Sequence, residues 1–180
     1  GSALNFAVRS GKLEVVKFLI KYGMRLKYPI TSHKTTIDRN ISKLGADAIA
    51  SGSLDMVKYM QEQGVFKEAS YELGEAIKNG HLEILQYLLT FESNLDHHKL
   101  YAHPASLAIQ SGSVKMLKYL QERYDITLGM DVIFKSRTLK KKSVEQYVDD
   151  ALVLGNVEML DHLINKEKLL DIHKWNYDFG

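Results

Sequence analysis

Histidine is the side chain here best suited to metal or proton chemistry, and three of the seven histidines gather at His97, His98 and His103. Two adjacent imidazoles and a third five residues on lack both the i, i+4 spacing of a helical zinc site and a fourth ligand. The cluster therefore reads as a surface turn. Asp149 and Asp150 form the only candidate acid/base pair, but neighbours on a helix point about 100° apart, which is poor geometry for sharing a proton. No Gly-rich phosphate loop, serine nucleophile elbow or H-E-x-x-H occurs. The chain has no cysteine, which excludes disulfides, thiolate zinc sites and a cysteine nucleophile. No catalytic residue, metal or cofactor is assigned, and the chain reads as a non-enzyme.

The sharpest charge feature is "KSRTLKKK", which places Lys135, Arg137, Lys140, Lys141 and Lys142 in one short stretch. It could serve nuclear import or meet an acidic partner, but a solvated loop accounts for it more simply. Over the whole chain 24 basic residues face 22 acidic ones, a net charge of +2, so the global field is weak and nucleic acid is not the expected partner. Apolar runs such as "VVKFLI" are broken well short of the roughly 20 residues a membrane-spanning helix needs. The composition, 45% hydrophobic and 26% charged, is ordinary for a globular domain. With cysteine absent it fits a reducing compartment, so the cytoplasm is expected, with the nucleus as the alternative. Asn40-Ile41-Ser42 satisfies the glycosylation pattern but is discounted in that setting.

The elements that must position any functional side chain come from a repeated phrase. "GKLEVVKFLIKYG" from Gly11 returns in varied form from Gly52, Gly80, Gly112 and Gly155. Two residues after each glycine stands Leu13, Leu54, Leu82, Val114 or Val157. Four after stands Val15, Met56, Ile84, Met116 or Met159, and five after stands Val16, Val57, Leu85, Leu117 or Leu160. Eight after comes Leu19, Met60, Leu88, Leu120 or Leu163, and together these positions trace the apolar stripe of an amphipathic helix. Glu14, Asp55, Glu83 and Glu158 stand in the first turn, where a carboxylate favours the helix dipole, with Lys17 and Lys58 three residues beyond the first two. Ala7, Ala48, Ala76, Ala108 and Ala151 each precede their glycine by four, a small residue where a neighbour must approach closely. Each unit is thus a short helix, a glycine turn and a longer helix. Such hairpins bury a continuous core only by stacking. Tyr59, Tyr87 and Tyr119 share one offset and read as packing between second helices.

This pattern resembles the ankyrin repeat, whose unit runs T-P-L-H-x-A-A-x-x-G-H-L-E-V-V-x-L-L-L-x-x-G with a period of about 33. "SALNFAVRSGKLEVVKFLIKYG" matches it best, "HPASLAIQSG" keeps the proline at Pro104, and "NGHLEILQYLL" keeps the second helix. The resemblance implies an all-α fold, an α-solenoid of about five stacked helix-turn-helix repeats with irregular or missing β-hairpin fingers. Repeats are expected over 2–23, 43–64, 71–92, 103–124 and 146–167 in a single array, with a tail over 168–180. Ser2, Lys43, Tyr71, His103 and Gln146 stand at the family's Thr position, and Asn5, Ala46, Gly74, Ser106 and Asp149 at its His position. The usual Thr and His hydrogen bonds are therefore mostly lost, and apolar packing must carry more. The glycine spacings of 41, 28, 32 and 43 residues put insertions at 24–42 and 126–145.

What the resemblance implies for function is a groove that binds another protein, lined by first-helix residues. Carried over by position, these are Phe6, Arg9, Asp47, Glu75, Lys78, Leu107 and Gln110. The expected protein is a monomeric, non-catalytic interaction module, a fragment of a larger chain. Two alternatives stand beside it: a binder of nucleic acid or another acidic surface through residues 135–142, and the targeting part of an enzyme or effector whose catalytic domain lies elsewhere.

Overall fold

The computed structural model describes residues 3–24, 26, 43–66, 69–91, 103–124, 128, 133–134, 137–138 and 144–166. They fall in two compact units, Gly1–Leu95 and Asp96–Gly180. In the first unit the helices are α1 (Ala3–Arg9), α2 (Leu13–Lys21), α3 (43–50), α4 (Leu54–Glu62), α5 (Ala69–Lys78) and α6 (Leu82–Leu89). The second holds α7 (Pro104–Ser111), α8 (Val114–Tyr124), α9 (Val144–Val153) and α10 (Val157–Asp161), the last continued by a π-helical turn at His162–Lys166. Between α8 and α9 lies a short antiparallel pairing of β1 (Ile133–Phe134) with β2 (Arg137–Thr138). The architecture is otherwise helical among the described residues.

Every helix pair closes on its glycine. Gly11, Gly52, Gly80, Gly112 and Gly155 all adopt left-handed φ values between 62° and 72°, a conformation that a Cβ makes costly. Identical Ser-Gly-Ser turns surround two of them. Ser51 Oγ donates to the Ala48 carbonyl at 2.6 Å and accepts from the Ser53 amide at 3.1 Å, and Ser53 Oγ accepts from the Met56 amide at 3.2 Å to cap α4. Ser111 and Ser113 repeat this pattern with Ala108 and Met116 at the same three distances. At the fifth turn Asn156 Oδ1 takes over the capping of α10 by accepting from the Met159 amide at 2.9 Å.

The turns also interlock from one repeat to the next. The place where a Cβ on Gly11 would lie is 3.4 Å from Ser53 Cβ, and the same place on Gly52 is 3.0 Å from the His81 ring. On Gly112 it is 2.6 Å from Asn156 Nδ2, which donates to the Gly112 carbonyl at 2.8 Å. In each case the residue that follows one turn glycine rests on the glycine of the repeat before it. Sequence reading treated these glycines as turn formers alone; the bare backbone face is equally needed as a seat.

The core takes most of the apolar stripe, although at the offset two after the glycine Leu13, Leu54 and Leu82 are half-buried and Val157 is exposed. Val16, Val57, Leu85 and Leu117 are fully buried, as are Met60, Leu120 and Leu163 at the next offset and Ala48, Ala76 and Ala108 on the first helices. Each large side chain so placed stabilises by about 1.5–3 kcal/mol. Two contacts link consecutive repeats beyond apolar packing. Buried Ser106, at the family's His position, hydrogen-bonds the buried Tyr147 hydroxyl of the following repeat. Lys58 lies over the Tyr87 ring at 5.7 Å from its centroid, so Tyr87 packs against the preceding second helix. Lys17 pairs with Glu14 at 2.9 Å, an exposed contact of small weight.

Candidate functional site

The first helices decide which side chains a partner can touch. In α1, Leu4, Ala7 and Val8 are buried, which turns Phe6 and Arg9 outward, Phe6 with 71% of its surface exposed. In α5, Leu73, Ala76 and Ile77 face the core while Lys78 is exposed and Glu75 half-buried. The Glu75 carboxylate accepts from the Tyr71 hydroxyl one turn back. Partial burial, with this carboxylate beside it, holds Tyr71 above its ordinary pKa. In α7, Gln110 is exposed.

Two of the seven groove residues do not reach the surface. Asp47 on α3 is 8% exposed and Leu107 on α7 is 2% exposed, so both belong to the packed interior. The physical reason lies in helix geometry. Positions five and two before the glycine are three residues apart and share a side of the helix, so periodicity cannot tell which row lies above the edge of the core. The row two before the glycine is the more accessible one, with Arg9 and Lys78 exposed and Ala50 half-buried in the first unit and Gln110 and Val153 exposed in the second. In the row five before it only Phe6 is exposed among these repeats. Ala50 and Val153 were missed by sequence reading, although the offset that selects Arg9 selects them too. Val153 is 88% exposed.

Of the basic run, Arg137 lies in β2 opposite Phe134, and Lys135, Lys140, Lys141 and Lys142 lie outside the described residues. His97 and His98 also lie outside them, as do Asn40, Ile41, Ser42 and the 168–180 tail. His103 precedes Pro104 at the start of α7 and is half-buried. Among the described residues no group of three His, Cys, Asp or Glu could hold a metal ion, and no helix is long and apolar enough to cross a membrane. Asp149 is exposed and Asp150 half-buried on α9.

In the first unit the accessible row supplies two cations, Arg9 and Lys78, and the row five before the glycine adds the exposed ring of Phe6 and the half-buried carboxylate of Glu75. Such a set suits a few apolar anchors within a polar rim, as protein interfaces have, and offers no nucleophile or acid/base pair.

No family model matches the chain. It is 27% identical over 184 residues to a protein of Vaccinia virus (strain Western Reserve) described as "Interferon antagonist OPG040". That match takes in 94% of this chain but 63% of the viral protein's length. Among solved structures, the chain is similar to the crystal structure of the human ASB11 ankyrin repeat domain, with a TM-score of 0.50 at 20% identity, over 92% of this chain and 83% of that one.

Proposed function

Because this chain is folded as a set of ankyrin-type repeats, we propose that it is a non-catalytic module that binds another protein through the exposed row of its first helices. The observation that carries this reading is the contrast within each repeat. Packing positions hold interchangeable apolar residues, whereas in the first unit the accessible position holds Arg9, Ala50 and Lys78 in turn. A surface free of packing demands and different in every repeat is what recognition of one particular partner requires. Arg9, Lys78 and Phe6 suit an acidic surface with an apolar anchor point. The weak global charge argues against a phosphate backbone as that surface.

Affinity capture with the wild-type chain and an Arg9→Glu/Lys78→Glu variant, followed by mass spectrometry, tests the proposal. The variant should lose its specific partners while remaining folded; an identical partner set would refute the assignment of the row. The likeness to a viral interferon antagonist makes proteins of the interferon response the first candidates to look for among the captured species.

A further inference from the structure

The first repeat exposes apolar surface at positions that other repeats bury. Four residues after the turn glycine, Met56, Ile84, Met116 and Met159 are fully buried, whereas Val15 is 44% exposed. Seven after it, Tyr59 and Tyr87 are half-buried, whereas Phe18 is 56% exposed. Within the first unit the direction of these positions can be read. Tyr87 lies under Lys58 of the repeat before it, and Tyr59 lies within the electrostatic reach of Lys17 of the repeat before that. The turn shows the same polarity, because Ser53 and His81 rest on the preceding glycines Gly11 and Gly52. Lys12 is the residue of the first repeat that corresponds to them, and it is exposed.

We infer that the Val15 and Phe18 face of α2 is a stacking face, and that it seats a further helical hairpin of this repeat type supplied by the same polypeptide ahead of Ala3. The face continues an interface already built twice within the unit, in the same register. That register states what the hairpin must present. It needs a left-handed glycine to receive Lys12, as Gly11 and Gly52 receive Ser53 and His81. Six residues after the glycine it needs a cation to lie over Phe18 as Lys58 lies over Tyr87. Tyr22 is left out, because its counterparts Gln63 and Phe91 are exposed as well. Consecutive repeats of one polypeptide build both existing copies of this interface, which favours a source in the same chain.

The absence of cysteine makes a direct test possible. Phe18→Cys and, as a control at an exposed position of the same helix, Lys21→Cys are labelled with a maleimide in this chain and in the longer parent polypeptide. Phe18→Cys should label as fast as Lys21→Cys in this chain and about tenfold or more slowly in the parent, with Lys21→Cys equally fast in both. Equal rates for Phe18→Cys in the two proteins, or a parent with no hairpin ahead of Ala3, would overturn the inference. Protection of Phe18→Cys in this chain that grows with protein concentration would also overturn it, by assigning the face to a second copy. Val15→Asp gives an independent reading: it should lower the melting temperature of the parent by clearly more than that of this chain, and equal shifts in the two would count against the inference. The result is separate from partner capture by Arg9 and Lys78, so either proposal can fail alone.

Discussion

Two surfaces of the first unit are both open to solvent, for different reasons. The row that includes Arg9 and Lys78 is exposed or half-buried in every repeat and carries polar or small side chains there in the first unit. The Val15 and Phe18 face is apolar, and its counterparts are buried or half-buried in later repeats. The first is a surface that stacking leaves free; the second is a stacking surface without its neighbour. Exposure alone would have grouped them, and the comparison across repeats separates them. A residue in a repeat protein is better judged against its counterparts than against its own solvent exposure.

The most forceful way to break that comparison is to truncate one packing position in two repeats. Met56→Ala should destabilise by about 2–4 kcal/mol, since a fully buried methionine leaves a cavity, whereas Val15→Ala should cost under about 1 kcal/mol. Equal shifts in urea midpoint would mean that Val15 is packed as Met56 is, and would remove the uncovered face from the account. The turn glycines extend the test to the second unit. Gly112→Ala forces a Cβ against Asn156 Nδ2 and into a left-handed backbone, so a loss of about 2–3 kcal/mol is expected. Gly155, with nothing within 4 Å, should lose about 1–2 kcal/mol from the backbone alone. A smaller loss at Gly112 than at Gly155 would remove the interlock from the account.

A subtler effect concerns Tyr147. Burial raises its pKa above the ordinary 10.0, as the nearby Asp150 carboxylate also does, against the opposing hydrogen bond of Ser106. Below pH 10 the hydroxyl is protonated in both folded and unfolded chains. As pH rises further the unfolded tyrosine ionises first, so stability falls from about pH 10 until the folded group follows. Tyr147→Phe should cost about 1 kcal/mol at neutral pH through the lost Ser106 bond and make the alkaline fall shallower. A thermal-melt series from pH 8 to pH 11, run on both proteins, reads both effects; an unchanged alkaline slope would remove Tyr147 as its source.

Much of the fold was legible because repetition lets weak signals agree. Ala48, Ala76, Val57, Leu85 and Met60 were placed in the core by offset alone, and burial bears this out. What escaped depended on distances between repeats. Asp47 and Leu107 share a helix side with Arg9-type positions, and only the approach of neighbouring elements decides that they are covered. The seating of Ser53, His81 and Asn156 on glycines was equally invisible, because residues 29 to 44 positions apart along the chain, such as Gly112 and Asn156, meet only after folding. The Ser106–Tyr147 hydrogen bond escaped as well, because the offsets drew attention to Ser106 but not to Tyr147.

The central claim is that the residues shared between repeats hold the scaffold while the accessible row selects the partner. Its most direct test measures partner capture and urea unfolding together on three proteins: wild type, Arg9→Glu/Lys78→Glu and Val15→Ala. The account predicts that the charge reversal abolishes capture at an unchanged unfolding midpoint, and that Val15→Ala retains capture. Full capture by the charge-reversed variant, or loss of capture only together with loss of the fold, would contradict it.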